Sequence, residues 1–175
     1  MDLSAFYGAF SPACFALLGL WLVAVQVRLP IWEKDPERRR RSYGVALHFA
    51  LPGLMSMFAL IDLQTPVFWR VSFGIVAVSG VVIMVLVRGF PVAPRRDDTG
   101  RRALPGADRV GLAAYAAAIV LYVLIGVLAV RGGLAALRTE AVLQTLLVFL
   151  GFNVAWLLLL DDTRSSSPWP HAKAE

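Results

Sequence analysis

DPERRRRSYGVALHFALPGLMSMFALIDLQ, residues 35–64, is the stretch on which the reading of this chain turns. It opens with a turn signal, Asp35 as a helix cap and Pro36 at the first helical position, where proline's missing N–H is not needed. Four consecutive arginines follow, Arg38, Arg39, Arg40 and Arg41, and then about 20 residues rich in apolar side chains, enough at ~1.5 Å each to cross ~30 Å of hydrocarbon. One end of this helix belongs in water and its middle in lipid. Glu37, Arg41, Gly44, His48, Pro52, Met55, Ala59 and Asp62 share one face of it.

Four more runs repeat the demand. The chain has 175 residues, of which 58% are hydrophobic, against roughly 45–50% in an ordinary soluble domain. The longest remaining segment, near 88–109, is too short to bury a core of its own. The expected fold is all-α: a polytopic bundle of five transmembrane helices, with spans at about 5–27, 43–64, 67–87, 111–130 and 140–160. Residues 1–164 form a single domain in this reading, and 165–175 a disordered cytoplasmic tail. The amino terminus lacks the basic start of a cleaved signal peptide, so span one is read as retained.

Span one is expected to end at Arg28 and Pro30, with Ser4, Gly8, Ser11, Phe15, Leu18, Leu22 and Gln26 on a stripe that packs against a neighbour or lines a path. Trp32 is expected at the headgroup level, and Trp69 with Arg70 at the opposite interface. Thr65 and Pro66 start span three. Prolines, glycines and mixed charges make 89–108 a solvated loop, with Asp108 as the cap of span four. Gly111, Tyr115, Ala118, Tyr122, Gly126 and Ala129 form a stripe that should face other helices, because a buried tyrosine hydroxyl needs a partner. Thr139 is read as the cap of span five. There Gln144, Gly151 and Ala155 share a small face, and Asn153 lies on the opposite side with Phe149 and Trp156.

Orientation follows from arginine and lysine. Of 17 such residues, only Arg70, Arg131 and Arg138 fall on one side; the others lie at 28–41, 88–109 and in the tail. The imbalance places the N-terminus outside and the C-terminus in the cytoplasm of a multi-pass cell-membrane protein. The formal charge of +5 is then topogenic. It also favours anionic lipid beside Arg38, Arg39, Arg40 and Arg41, whereas nucleic acid is excluded because these arginines sit in short connections beside spans.

Cys14 is the lone cysteine, which excludes an intrachain disulfide and a cysteine-based metal cluster. No hydrolase elbow, zinc-protease helix, redox CxxC pair or phosphate loop is present. No enzymatic activity, cofactor or metal is therefore expected. Asp62 reads as the one carboxylate well inside a span, and an Asp62–Arg70 ion pair would clamp spans two and three or tune an outer vestibule. His48 is a hydrogen-bonded packing residue or a proton relay. It stands about 21 Å from Asp62 along the helix, too far for one acid–base pair.

Two functions fit these residues. One is an oligomeric channel or transport protein for ions or small solutes, a homo-oligomer with Ser4, Ser11 and Gln26, or His48, Ser56 and Asp62, lining the path. The other is a non-transporting assembly or regulatory subunit that binds anionic lipid or a cytoplasmic partner.

Overall fold

The structure is a computed structural model that describes residues 2–32, 36–61, 65–88 and 105–165. Within these segments, side chains are described except at 31, 36, 37, 66, 88, 105–111, 134, 135 and 161–165. The expected Asp35 cap, Asp62, most of the loop at 89–108 and the tail from 166 lie outside the described residues.

Among the described residues the chain is all-helical: α1 (Leu3–Trp32), α2 (Pro36–Ile61), α3 (Pro66–Arg88), α4 (Pro105–Arg131) and α5 (Leu134–Ser165). Each is long and apolar enough to span a membrane. Unbroken apolar runs force this outcome, because in lipid a backbone must satisfy its polar groups within its own segment. The protein is a small multi-pass membrane protein.

The helices run alternately up and down. α1 and α2 pair antiparallel, with Ser11 beside Gly53 and Trp21 beside Ser42. α2 and α5 do the same, with Ser56 against Gln144 and His48 against Gly151. α3 and α4 follow, with Arg70 against Ala129 and Gly80 against Tyr122. Arg28, Arg38, Arg39, Arg40 and Arg41, the last turn of α3 and the first turn of α4 therefore lie at one end of the bundle, and Arg70, Arg131 and Arg138 at the other. α2 is the central helix, packed on α1, α3 and α5. Buried residues make up 56% of its spanning window and at most 28% of any other.

Several boundaries differ from expectation. Asp2 caps α1 by accepting from the backbone N–H of Ser4 and Ala5 (3.0 and 3.3 Å), as an N-cap carboxylate does. At its far end α1 continues past Arg28 and through Pro30 to Trp32. A proline that close to a helix end removes a single hydrogen bond, and Trp32 gains full burial against Trp21, with ring centroids 6.2 Å apart. Trp32, just past the apolar span that ends at Pro30, is thus packed within the bundle and not turned outward. Trp69 is likewise buried, edge-on to Phe73 at 5.9 Å.

The packed face of α1 is also rotated from the expected stripe. Tyr7, Ser11, Cys14 and Trp21 are buried, whereas Ser4, Gly8, Phe15, Leu22 and Gln26 are exposed and nothing approaches the position of a Gly8 side chain. Two aromatic residues with polar tips reach partners across the interface, and that sets the rotation: Tyr7 Oη donates to the Leu137 carbonyl (3.1 Å) and Trp21 Nε1 to the Ser42 carbonyl (3.1 Å). α4 begins at Pro105, ahead of the expected cap Asp108. α5 begins at Leu134, more than a turn before the expected cap Thr139, because Ala136 N–H donates to the Gly133 carbonyl (2.9 Å) and opens the helix there.

The expected faces of α2, α4 and α5 are the packed ones. Gly44, His48, Pro52, Met55 and Ala59 are buried, as are Ala118, Tyr122 and Ala129, and Gln144, Gly151 and Ala155. The Tyr122 hydroxyl, however, has no hydrogen-bond partner, so ring packing and not a hydroxyl bond turns α4 inward. Asn153 is exposed and donates to its own helix at Phe149. Between α3 and α4 the close approach is at Gly80, where an added Cβ would stand 2.7–2.9 Å from the Tyr122 ring. Gly80→Val should destabilise the bundle by about 1–3 kcal/mol, the usual cost of overpacking. Gly19→Val, where nothing lies within 4 Å, should leave thermal unfolding in detergent unchanged.

Candidate functional site

The interface of α1, α2 and α5 holds a seam of buried polar groups. Near the end that carries the N-terminus, Tyr7 from α1 is bonded to the Leu137 carbonyl of α5. One turn along α5, Glu140 is fully buried and neither carboxyl oxygen has a hydrogen-bond partner. A further turn on, Gln144 is also fully buried; its Oε1 accepts from Ser56 Oγ on α2 (3.0 Å), and its amide nitrogen is without a partner. The Ser56 hydroxyl also lies 2.9 Å from the Pro52 carbonyl, one turn earlier on α2. Ser11 Oγ on α1 donates to the neighbouring Gly53 carbonyl (3.2 Å).

Deeper toward the arginine-rich end, His48 packs on Gly151. Its Nδ1 lies 2.6 Å from the Gly44 carbonyl and so carries the proton there, while Nε2 has no partner. Trp21 and Ser42 close the seam. From Leu137 to Gly151 it runs about 21 Å along α5, most of the ~30 Å hydrocarbon thickness. It is not continuously polar. Leu51 and Met55 on α2 and Leu147 on α5 are buried in one apolar cluster, and their helical positions set them between the Gln144–Ser56 pair and His48.

Local sequence explains this arrangement. Small residues admit close approach of the helices: Gly53 sits under Cys14 and Phe15 of α1, and Gly151 under His48 and Phe49 of α2. Pro52 has no N–H to give, so the first half of α2 loses one backbone bond. The regular spacing of Glu140, Gln144, Gly151 and Ala155 then turns the polar and small residues of α5 toward the packed side.

The residues singled out in the sequence divide sharply. Ser11, His48 and Ser56 come together in the seam. Ser4 and Gln26 are on the exposed surface of the chain. Asp62 lies outside the described residues, and with it the expected Asp62–Arg70 pair. Arg70 is engaged with α4, its Nε donating to the Ala129 carbonyl (2.8 Å) and its Nη2 to the Val130 carbonyl. Those carbonyls belong to the last turn of α4, where they lack helical partners and where the helix dipole favours a cation. Of the four consecutive arginines, Arg38, Arg40 and Arg41 are half-buried and Arg39 is exposed. Among the described residues no group of three histidine, cysteine or acidic side chains is placed to hold a metal.

Glu140 was missed by sequence reasoning. Thr139 made it the first residue of span five and placed it at the interface. The available signal was its i, i+4 relation to Gln144, together with Ala135, Ala136 and Leu137, helix formers that extend α5 backward past it. Compared with known proteins, the chain matches no family model, no curated protein and no solved structure.

Proposed function

We propose that this protein moves ions or small solutes across the cell membrane, with the α1–α2–α5 seam as its path and the arginine-rich end in the cytoplasm. One observation carries the reading: Glu140 is fully buried in a segment long enough to span lipid, and both its oxygens are without a protein partner. A carboxylate at the centre of a membrane span costs about 2.5–3.5 kcal/mol, and one a turn inside its end, as Glu140 is, costs less. A buried carboxylate must still be neutralised, and such residues mark ion and proton pathways. Gln144 and Ser56 continue the polar route, and His48 lies beyond the apolar Leu51–Met55–Leu147 step. That step closes the route at rest, so passage requires the helices to part locally there.

The path lies inside each chain in this reading. A homo-oligomer would place several such paths side by side and need no shared axis. Arg39 and its neighbours would anchor the cytoplasmic end to anionic lipid, worth about 1 kcal/mol per basic residue near the surface.

The test is flux from proteoliposomes that contain the full chain, under imposed proton, alkali-cation and halide gradients. Flux that is present in the wild type and lost in Glu140→Gln supports the reading. Absence of flux under every gradient overturns it in favour of a non-transporting assembly or regulatory subunit.

A further inference from the structure

We propose that Glu140 is a proton-binding site and that the species handled by the seam is the proton. The inference rests on the transport reading for what the proton does, but the site itself stands on geometry. Two neighbouring side chains on α5, Glu140 and Gln144, are fully buried, and each has polar atoms with no protein partner. The unsatisfied set is two carboxyl oxygens and one amide NH2. It offers two acceptors where the charge sits and a donor one turn away. An anion in such surroundings must be matched by a proton or by a bound cation.

The donor set decides between these. A metal cation stripped of water needs about six oxygen ligands. Here the Tyr7 hydroxyl is committed to the Leu137 carbonyl, and Gln144 Oε1 to Ser56. The unpartnered atom of Gln144 is its amide nitrogen, which repels a cation and can donate to a carboxyl oxygen. A proton needs a single oxygen and no cage. Protonation adds H⁺ to one carboxylate oxygen and takes the side chain from −1 to neutral. Release returns the same proton to water, with no other bond made or broken.

Among the described residues, the charged and titratable groups at this end of the bundle do not compete for the role. At α1 there are Tyr7, bonded as above, and Asp2, which is exposed and accepts from the Ser4 and Ala5 N–H groups. On α3, Arg70 is bound to the α4 carbonyls. Arg131 at the end of α4 and Arg138 on α5 are exposed. α2 contributes the uncharged Ser56.

The experiment uses the full chain in lipid nanodiscs and two readouts that do not depend on flux. Infrared difference spectra are recorded while the pH is moved from acid to alkaline. A carboxylic-acid C=O band that disappears on alkalinisation and is absent from E140Q is expected. In parallel, an apolar carbodiimide is added and the labelled residue is mapped by mass spectrometry. The reagent adds across the protonated carboxyl to leave a stable N-acylurea with no leaving group, so the label marks a protonated acid in apolar surroundings. Labelling at Glu140 in the wild type is expected, and it requires no variant to fold. The proposal is overturned if no band depends on Glu140 and no label reaches it. It is equally overturned if sodium, potassium or magnesium ions protect Glu140 at constant pH, since that marks a cation site. A Glu140 label without flux leaves the proton site standing and removes transport; flux without the label does the reverse.

Discussion

Gly151→Leu is expected to remove most of the folded, monodisperse protein from a detergent extract, and Gly151→Ala to lower its thermal midpoint. The cause is the closest approach of α5 to α2. A Cβ added at Gly151 would overlap the Cβ of His48, with His48 Cγ at 3.2 Å and Phe49 Cε1 at 3.5 Å. The end of a flexible side chain can swing away, but a Cβ moves only with its backbone. The two helices must therefore separate, and separation opens the buried Ser56–Gln144 bond and the cluster around Leu147. Overpacking costs about 1–3 kcal/mol where rotamers can adjust. Here they cannot, so Gly151→Leu should lie at or beyond the top of that range. Size-exclusion profiles and thermal unfolding followed by tryptophan fluorescence measure it. Unchanged profiles for Gly151→Leu would mean that α2 and α5 are not held together at this point.

Replacing Glu140 by methionine is expected to act in the opposite direction on stability and, on the transport proposed for the seam, to abolish flux. A buried polar group without a partner destabilises a fold by about 1–3 kcal/mol. Methionine has nearly the same length, no polar atom and enough flexibility to fill the space. Glu140→Met should therefore raise the thermal midpoint in detergent while the flux of proteoliposomes falls to background. A gain in stability joined to a loss of activity is the signature of a group retained for function at the expense of the fold. A marked loss of stability would instead make Glu140 part of the scaffold.

The fold was legible because its governing quantities are one-dimensional. Run length, proline and glycine at the ends, and the side on which arginines gather can each be read along the chain. The packed faces of α2, α4 and α5 followed from helical spacing for the same reason. The packed face of α1 did not, because small residues on one stripe compete with Tyr7 and Trp21 on another. What decides between them is whether a carbonyl of another helix stands within reach of each aromatic tip. The ends of α1 and α5 were misjudged where a local cap or stop signal, Thr139 or Pro30, was outweighed by burial beyond it.

The site was legible only in part. Ser11, His48 and Ser56 were singled out as polar residues in apolar runs, which composition alone reveals. That they share a seam with Glu140 and Gln144, while Ser4 and Gln26 do not, depends on pairing α1 and α2 with a helix far along the chain. Tyr7 and Leu137 are 130 positions apart. Arg70 illustrates the same limit: nothing along the sequence shows that the last carbonyls of α4, some 60 residues on, come within its reach. By itself the sequence settled that lipid is the solvent of five helices, because hydrophobic run length needs no partner to have meaning. The tertiary structure alone decided which buried polar atoms are satisfied and which are left over. A hydrogen bond is a property of two groups, and for Tyr7, Ser11, Trp21, Gln144 and Arg70 the second group belongs to another helix.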